Sequence, residues 1–201
     1  MDDEDGVDLL DAVLAVRPGL VVLDLDLRRR PDGMRLLPGL TGAGVPSVVI
    51  TASPALARWG EALLHGAVTV LAKSTALPDV LRVLRDVSDG KVVMPARQRA
   101  ELVERHLSVQ ADRGRLMSRF EHLTGRERHV LAGLVAGHRL RQIAEAATVT
   151  EATVRTQVRA ILVKLGVGSP LAAVSMARRV GWEPPGHERA DDQAVREKLR
   201  R

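Results

Sequence analysis

The sequence predicts an α/β N-terminal domain, partial and doubly wound, followed by an all-α C-terminal domain. Three observations carry this. Apolar runs of strand length alternate with helical patterns through residues 1–95, whereas helical periodicity alone fills 122–182. The charge also changes sign between the two: 1–95 hold 10 basic and 13 acidic residues, a net −3, and 124–180 hold 9 basic and 3 acidic, a net +6, within a chain of net +5.

In order along the chain, a helix is predicted over Val7–Val16, then a buried strand over Gly19–Leu27 (GLVVLDLDL). A short helix near Met34–Leu40, interrupted by Pro38, leads to a second strand at Val45–Thr51. Ser53-Pro54 is expected to open a helix over Ser53–His65, Ala67–Lys73 reads as the third strand, and Pro78–Val87 as the next helix. Strands that are apolar almost throughout are buried on both faces, so the sheet should be parallel, with right-handed crossovers. Residues 96–121 are charged and helix-favouring and read as a helical linker, with Gly114 as a break. After Trp182, a Pro-Pro-Gly sequence and mixed charge predict a disordered tail over 183–201.

Composition excludes several function classes. With two Trp, one Phe and no Tyr, no aromatic platform exists for unpaired bases, which disfavours single-strand or RNA binding. The absence of Cys removes disulfides, thiolate metal sites and cysteine nucleophiles, and the six His lack ligand spacing. Met1 is followed by acidic Asp2, Asp3, Glu4 and Asp5, where a signal peptide would be basic, and no apolar stretch nears the roughly 18 residues of a membrane span. A cytoplasmic protein without membrane partners is the expectation.

In the C-terminal domain, Thr124-Gly125-Arg126-Glu127 has the form of a capping box, with Val130, Leu131, Leu134 and Val135 on one face of the helix it opens. Leu140, Ile143, Ala144 and Ala147 mark a short second helix. Thr150 is positioned to cap a third, TEATVRTQVRAILVKLG, ended by Gly166. At about 100° per residue, Val154, Val158, Ile161, Leu162 and Leu165 fall on one side and Arg155, Thr156, Arg159 and Val163 on another. Arg155 and Arg159, one turn apart, suit guanine edges or phosphates, with Thr156 and Gln157 beside them as hydrogen-bonding groups. A solvated surface helix would show the same two arginines. Ser169–Val180 forms a closing helix that could pair with a second copy.

These segments, LTGRERHVLAGLVAG, RQIAEAATVTEATVRTQVRAILVKLGV and RRVGW, resemble the LuxR-type helix-turn-helix over about 60 residues. The resemblance implies a transcriptional regulator that binds double-stranded DNA, as a homodimer and with RNA polymerase as a partner. It places Arg155, Thr156 and Arg159 against bases, and Thr153 and Lys164 against the DNA backbone; Gln157 replaces the family's usual His. A domain beginning near Leu123 should suffice to bind a two-fold-related site.

In the N-terminal domain, Asp24, Thr51 and Lys73 lie at the C-terminal ends of the three predicted strands, where open α/β sheets present their chemistry. Polar residues often fall at such ends by chance. PGLVVLDL, VVITAS and the Gly66–Lys73 segment nevertheless resemble the flavodoxin-like receiver domain of NarL/FixJ-type response regulators. That resemblance implies Asp24 as phosphoacceptor, Thr51 and Lys73 as phosphate contacts, and a sensor histidine kinase as partner. The match departs from the family in lacking the early strand that ends in paired carboxylates, in the longer LDLRRRPDG loop, and in Val70 at the position of an aromatic switch. The receiver therefore reads as truncated or degenerate, without the Mg²⁺ site of a full receiver and with no cofactor expected.

Two rivals follow from the residues. The DLDL sequence after VVL mimics the aspartate nucleophile of a haloacid-dehalogenase-like phosphatase, but no later strand-terminal acidic site accompanies it. Alternatively, DNA binding is retained and the N-terminal domain is a passive dimerisation or ligand module, independent of phosphorylation.

Overall fold

The computed structural model describes residues 4–25 and 33–184, with side chains described from Leu9 onward. The expectations for Asp2, Asp3, Asp26, Arg28, Arg29 and Arg30, and for the tail from Pro185 onward, lie outside the described residues. The chain forms two compact units, Met1–Gln110 and Ala111–Arg201.

In the first unit, α1 (Glu4–Ala15) precedes β1 (Val21–Asp24). A 3-10 turn at Gly33–Leu36 then runs directly into α2 (Leu37–Gly42). Pro38 sits in the first turn of α2 rather than interrupting it, because a first-turn residue needs no N–H for the helix ladder. β2 (Ser47–Thr51), α3 (Leu56–Leu64), β3 (Thr69–Ala72) and α4 (Leu77–Ser88) follow. Each predicted strand starts two residues early, while the second ends at Thr51 as predicted and the third runs one residue past Ala72. Pairing runs only from Val21 opposite Ser47 to Asp24 opposite Ile50, and from Val48 opposite Thr69 to Thr51 opposite Ala72.

Among the described residues the sheet is parallel, with order β1-β2-β3. Adjacent residues of a strand face opposite ways, and Val48 and Val49 of the central strand are both fully buried, so both faces of the sheet are covered. α3 begins at Leu56, after an Ala55 N-cap that makes no side-chain bond, so Ser53 does not open it as expected. Ser53 instead braces the approach to α3: its hydroxyl accepts from the Ala55 N–H and its carbonyl from the Trp59 indole, at 3.3 and 3.0 Å.

α5 (Ala96–Glu121) is one helix through Gly114, which therefore does not break it. A glycine inside a helix costs about 1 kcal/mol, and burial of neighbouring side chains on each half offsets it. The first half packs on α3 at Gly60, where a methyl group would overlap the Leu102 carbonyl. There Arg99 donates to the carbonyls of Leu63, Ala67 and Val68 at 2.8, 3.1 and 3.2 Å, closing the exposed end of α3.

In the second unit, α6 (Gly125–Val135), α7 (Leu140–Ala146), α8 (Glu151–Leu165) and α9 (Pro170–Val180) enclose a core that includes Leu131, Val154, Ile161, Leu165 and Ala173. α7 crosses α6 at Gly133, where a Cβ would press on Ile143 at 2.7 Å. The end of α5 belongs to this core as well: Phe120 is 2 % exposed and stacks on Trp182 with ring centroids 5.6 Å apart. Residues 111–121 are thus a structural part of the C-terminal unit, not only a linker, and a domain starting at Leu123 would be incomplete.

Candidate functional site

The candidate interface is the exposed side of α8, and its presentation starts with the cap. Thr150 holds an extended backbone and its hydroxyl accepts from the Thr153 N–H at 3.1 Å, fixing where the helix begins. The turn before it carries a cost, since Thr148 has φ +53, a left-handed conformation that a β-branched residue rarely adopts. Gly166, at φ +67, ends the helix, and its N–H and that of Val167 bond back to Val163 and Leu162.

Along α8, Val154, Val158, Ile161 and Leu165 are buried, while Thr153, Arg155, Thr156, Arg159 and Val163 are exposed. Arg155, Thr156, Arg159 and Val163 form one stripe opposite the core; Thr153 lies at its border, with half-buried Gln157 and Lys164 next to it. The structure therefore brings the predicted base-facing residues together on one surface.

Lys164 is placed differently from the others. Its ammonium donates to Glu127 Oε2 at 2.7 Å, and that same oxygen accepts from the Thr124 N–H at 2.7 Å, while the Thr124 hydroxyl accepts from the Glu127 N–H at 3.3 Å. The predicted capping box is complete, and it is tied to α8 by a largely buried ion pair. Burial pushes the Glu127 carboxyl up. Hydrogen bonds from Lys164 and from the backbone and hydroxyl of Thr124, together with the Lys164 charge, outweigh it and hold the group below the usual glutamate range.

Two further groups bear on α8. Glu151 Oε1 accepts from Arg155 Nη2 at 2.7 Å, and Arg119 Nη1 donates to the Leu165 carbonyl at 2.9 Å. The four-residue spacing of Glu151 and Arg155 is a signal the sequence carries. Arg119 and Lys164 meet their partners 46 and 37 residues away, and no local pattern announces such contacts.

At the strand ends of the first unit, Lys73 Nζ stands 2.6 Å from Asp24 Oδ2, so the ends of β1 and β3 are joined across β2. Thr51 is fully buried at the end of β2, and its hydroxyl accepts from the Ser53 N–H at 3.0 Å. Mg²⁺ requires several oxygen ligands in near-octahedral geometry. Among the described residues Asp24 is the one acid at these strand ends, it is engaged by Lys73, and no group of three or more His, Asp or Glu could hold a metal. The described residues do not fit that ion.

Residues 121–177 match the bacterial regulatory proteins of the luxR family. Over 177 residues the chain is 24% identical to the transcriptional regulatory protein DesR of Bacillus subtilis, covering 88% of this chain and 81% of that protein. It is 28% identical over 174 residues to the nitrate/nitrite response regulator protein homolog of Haemophilus influenzae, covering 86% and 79%. The probable transcriptional regulatory protein NarL of Mycobacterium tuberculosis is 29% identical over 192 residues, with 88% and 79% covered. Among solved structures, the response regulator ChrA of a heme-sensing two-component system is 26% identical, with a TM-score of 0.37 over 82% of this chain and 77% of that one.

The chain is a transcriptional response regulator. Its C-terminal domain is a LuxR-type helix-turn-helix, the DNA-binding module of that class. Among the described residues no single helix is long and apolar enough to cross a membrane.

Proposed function

We propose that the exposed stripe of α8 enters the major groove of double-stranded operator DNA, with Arg155, Thr156 and Arg159 at base edges, Gln157 beside them, and Thr153 and Lys164 at the flanking backbone. The observation that carries this reading is the pair of arginines one turn apart on the exposed side of a helix whose opposite side is buried and whose start is fixed by Thr150. Planar guanidinium groups suit the paired acceptors of guanine. Lys164 keeps ammonium donors beyond the one given to Glu127, so a phosphate contact is compatible with its ion pair. The reading includes a homodimer on half-sites about one helical turn apart, RNA polymerase as the further partner, and a cytoplasmic location.

Arg155→Ala and Arg159→Ala are each expected to weaken binding to a selected duplex by about 1–3 kcal/mol without changing the melting temperature, since both side chains are exposed. The duplex is obtained by selection from a randomised pool with the wild-type chain, and affinity is read by mobility shift. Unchanged affinity in both variants would remove α8 from the interface.

For the strand-end site we infer regulation that does not depend on phosphate at Asp24, although a sensor histidine kinase belongs to the response-regulator class. The support is electrostatic. A phosphoryl group brings several negative charges to a carboxylate, and Lys73 supplies one positive charge where a metal bound by several acids would supply two. The chain is expected to incorporate little phosphate from acetyl phosphate with Mg²⁺, and Asp24→Asn to leave DNA affinity within about twofold, the scale of a surface ion pair. Efficient Mg²⁺-dependent labelling that disappears in Asp24→Asn overturns this inference and restores the phosphoacceptor role.

A further inference from the structure

Glu151 carries the one acidic side chain on α8, in its first turn, and it is spent on Arg155. The pair is exposed at 42% and 64%, and the Oε1 to Nη2 distance is 2.7 Å. At about 100° per residue Glu151 lies some 40° from Arg155 around the helix, between the buried side and the exposed stripe. No other described ion pair involves a residue of the stripe: Arg141 is held by Glu145 on α7, and Lys164 by Glu127.

We propose, resting on the DNA-binding reading above, that Glu151 is a specificity-determining residue that withholds Arg155 from DNA lacking the correct base. The chemistry follows from what each partner offers. A random phosphate competes with a carboxylate for one face of the guanidinium, and the carboxylate, four residues away on the same helix, needs no new ordering to win. Guanine O6 and N7 accept two parallel N–H bonds and add a directional gain that a lone phosphate does not. The carboxylate also repels nearby phosphates, but that repulsion acts on either duplex alike and leaves their ratio unchanged. A first-turn acid also favours the helix dipole, and that stabilising role must be separated from the selective one.

The experiment uses the full chain with two duplexes, one selected from a randomised pool and one scrambled. Glu151→Gln removes the charge but keeps the length; Glu151→Asp keeps the charge near the helix start but is too short to hold Arg155 in this geometry. Glu151→Gln is expected to tighten scrambled-duplex binding by roughly fivefold, on the order of one phosphate contact, and to steepen the salt slope by about 0.9. The ratio of selected to scrambled affinity falls accordingly. Glu151→Asp should lose part of the same ratio, and in an Arg155→Ala background Glu151→Gln should no longer change the ratio. If wild type discriminates but Glu151→Gln leaves the ratio unchanged, or changes it equally with and without Arg155, the proposal is wrong while the interface stands. If wild type binds both duplexes alike, the interface reading itself fails, and this inference with it.

Discussion

A fragment beginning at Ala111 is expected to unfold cooperatively and bind DNA, whereas one beginning at Leu123 is expected to lose most of its stability. The difference is the last part of α5. Phe120 is almost fully buried against Trp182, and Leu116 and Met117 pack on the same core. Removing a buried aromatic side chain costs about 3–5 kcal/mol. Two arginines leave with it: Arg119, bonded to the end of α8 through Leu165, and Arg113, whose Nε donates to the Val180 carbonyl at 3.0 Å at the end of α9. Each such charged hydrogen bond contributes about 1.5–3 kcal/mol when protected from water, and less at these partly exposed positions. The combined loss is comparable to the whole stability of a small domain, about 5–15 kcal/mol. Circular dichroism melts of the two fragments test it. A Leu123 fragment with the melting temperature of the Ala111 fragment would show that the α5 segment is dispensable.

The parts legible in the sequence are those fixed by local chemistry. Thr124 with Glu127, Thr150, Ser169 and Gly166 set helix ends through bonds spanning three or four residues, and they stand where the pattern put them. The two faces of α8 follow from periodicity in the same way. The place of Phe120 in the core is hidden in a charged helical stretch, because its partner, Trp182, is 62 residues on and nothing nearby reports the stacking. Propensity alone predicts a break at Gly114, and packing on both halves of α5 outweighs that small penalty. Thr148 has no signature in the sequence, since a threonine in the left-handed region is chosen by the tight turn between α7 and α8 and not by its own preference. At the strand ends, Asp24, Thr51 and Lys73 were found by the rule that parallel sheets present chemistry there, but the direct Lys73–Asp24 pair depends on sheet order.

Glu127→Ala is expected to destabilise the C-terminal unit by roughly 2–4 kcal/mol, the sum of the lost carboxylate half of the capping box and a lost charged hydrogen bond. Two groups bond to one oxygen of that carboxylate: the Thr124 N–H and the Lys164 ammonium on the helix that presents the arginines. Glu127→Gln separates the two contributions, because an amide oxygen can still accept from Thr124 while the charge facing Lys164 is gone. Its cost should therefore be smaller, about 1–2 kcal/mol. The sign with pH is fixed by the lowered folded-state pKa. Wild type has the full contribution above the ordinary glutamate value of 4.5 and loses it as pH falls through the lower folded-state value. The stability gap between wild type and Glu127→Gln should thus be constant near neutrality and shrink below about pH 4.5, as wild type takes up the proton that makes it resemble the amide. Urea titrations of the Ala111 fragment at pH 7 and at successively lower pH measure that gap. A gap that stays the same into the acid range would mean that Glu127 acts only as a cap, and that Lys164 is held against α6 by packing of its methylene chain instead of by charge.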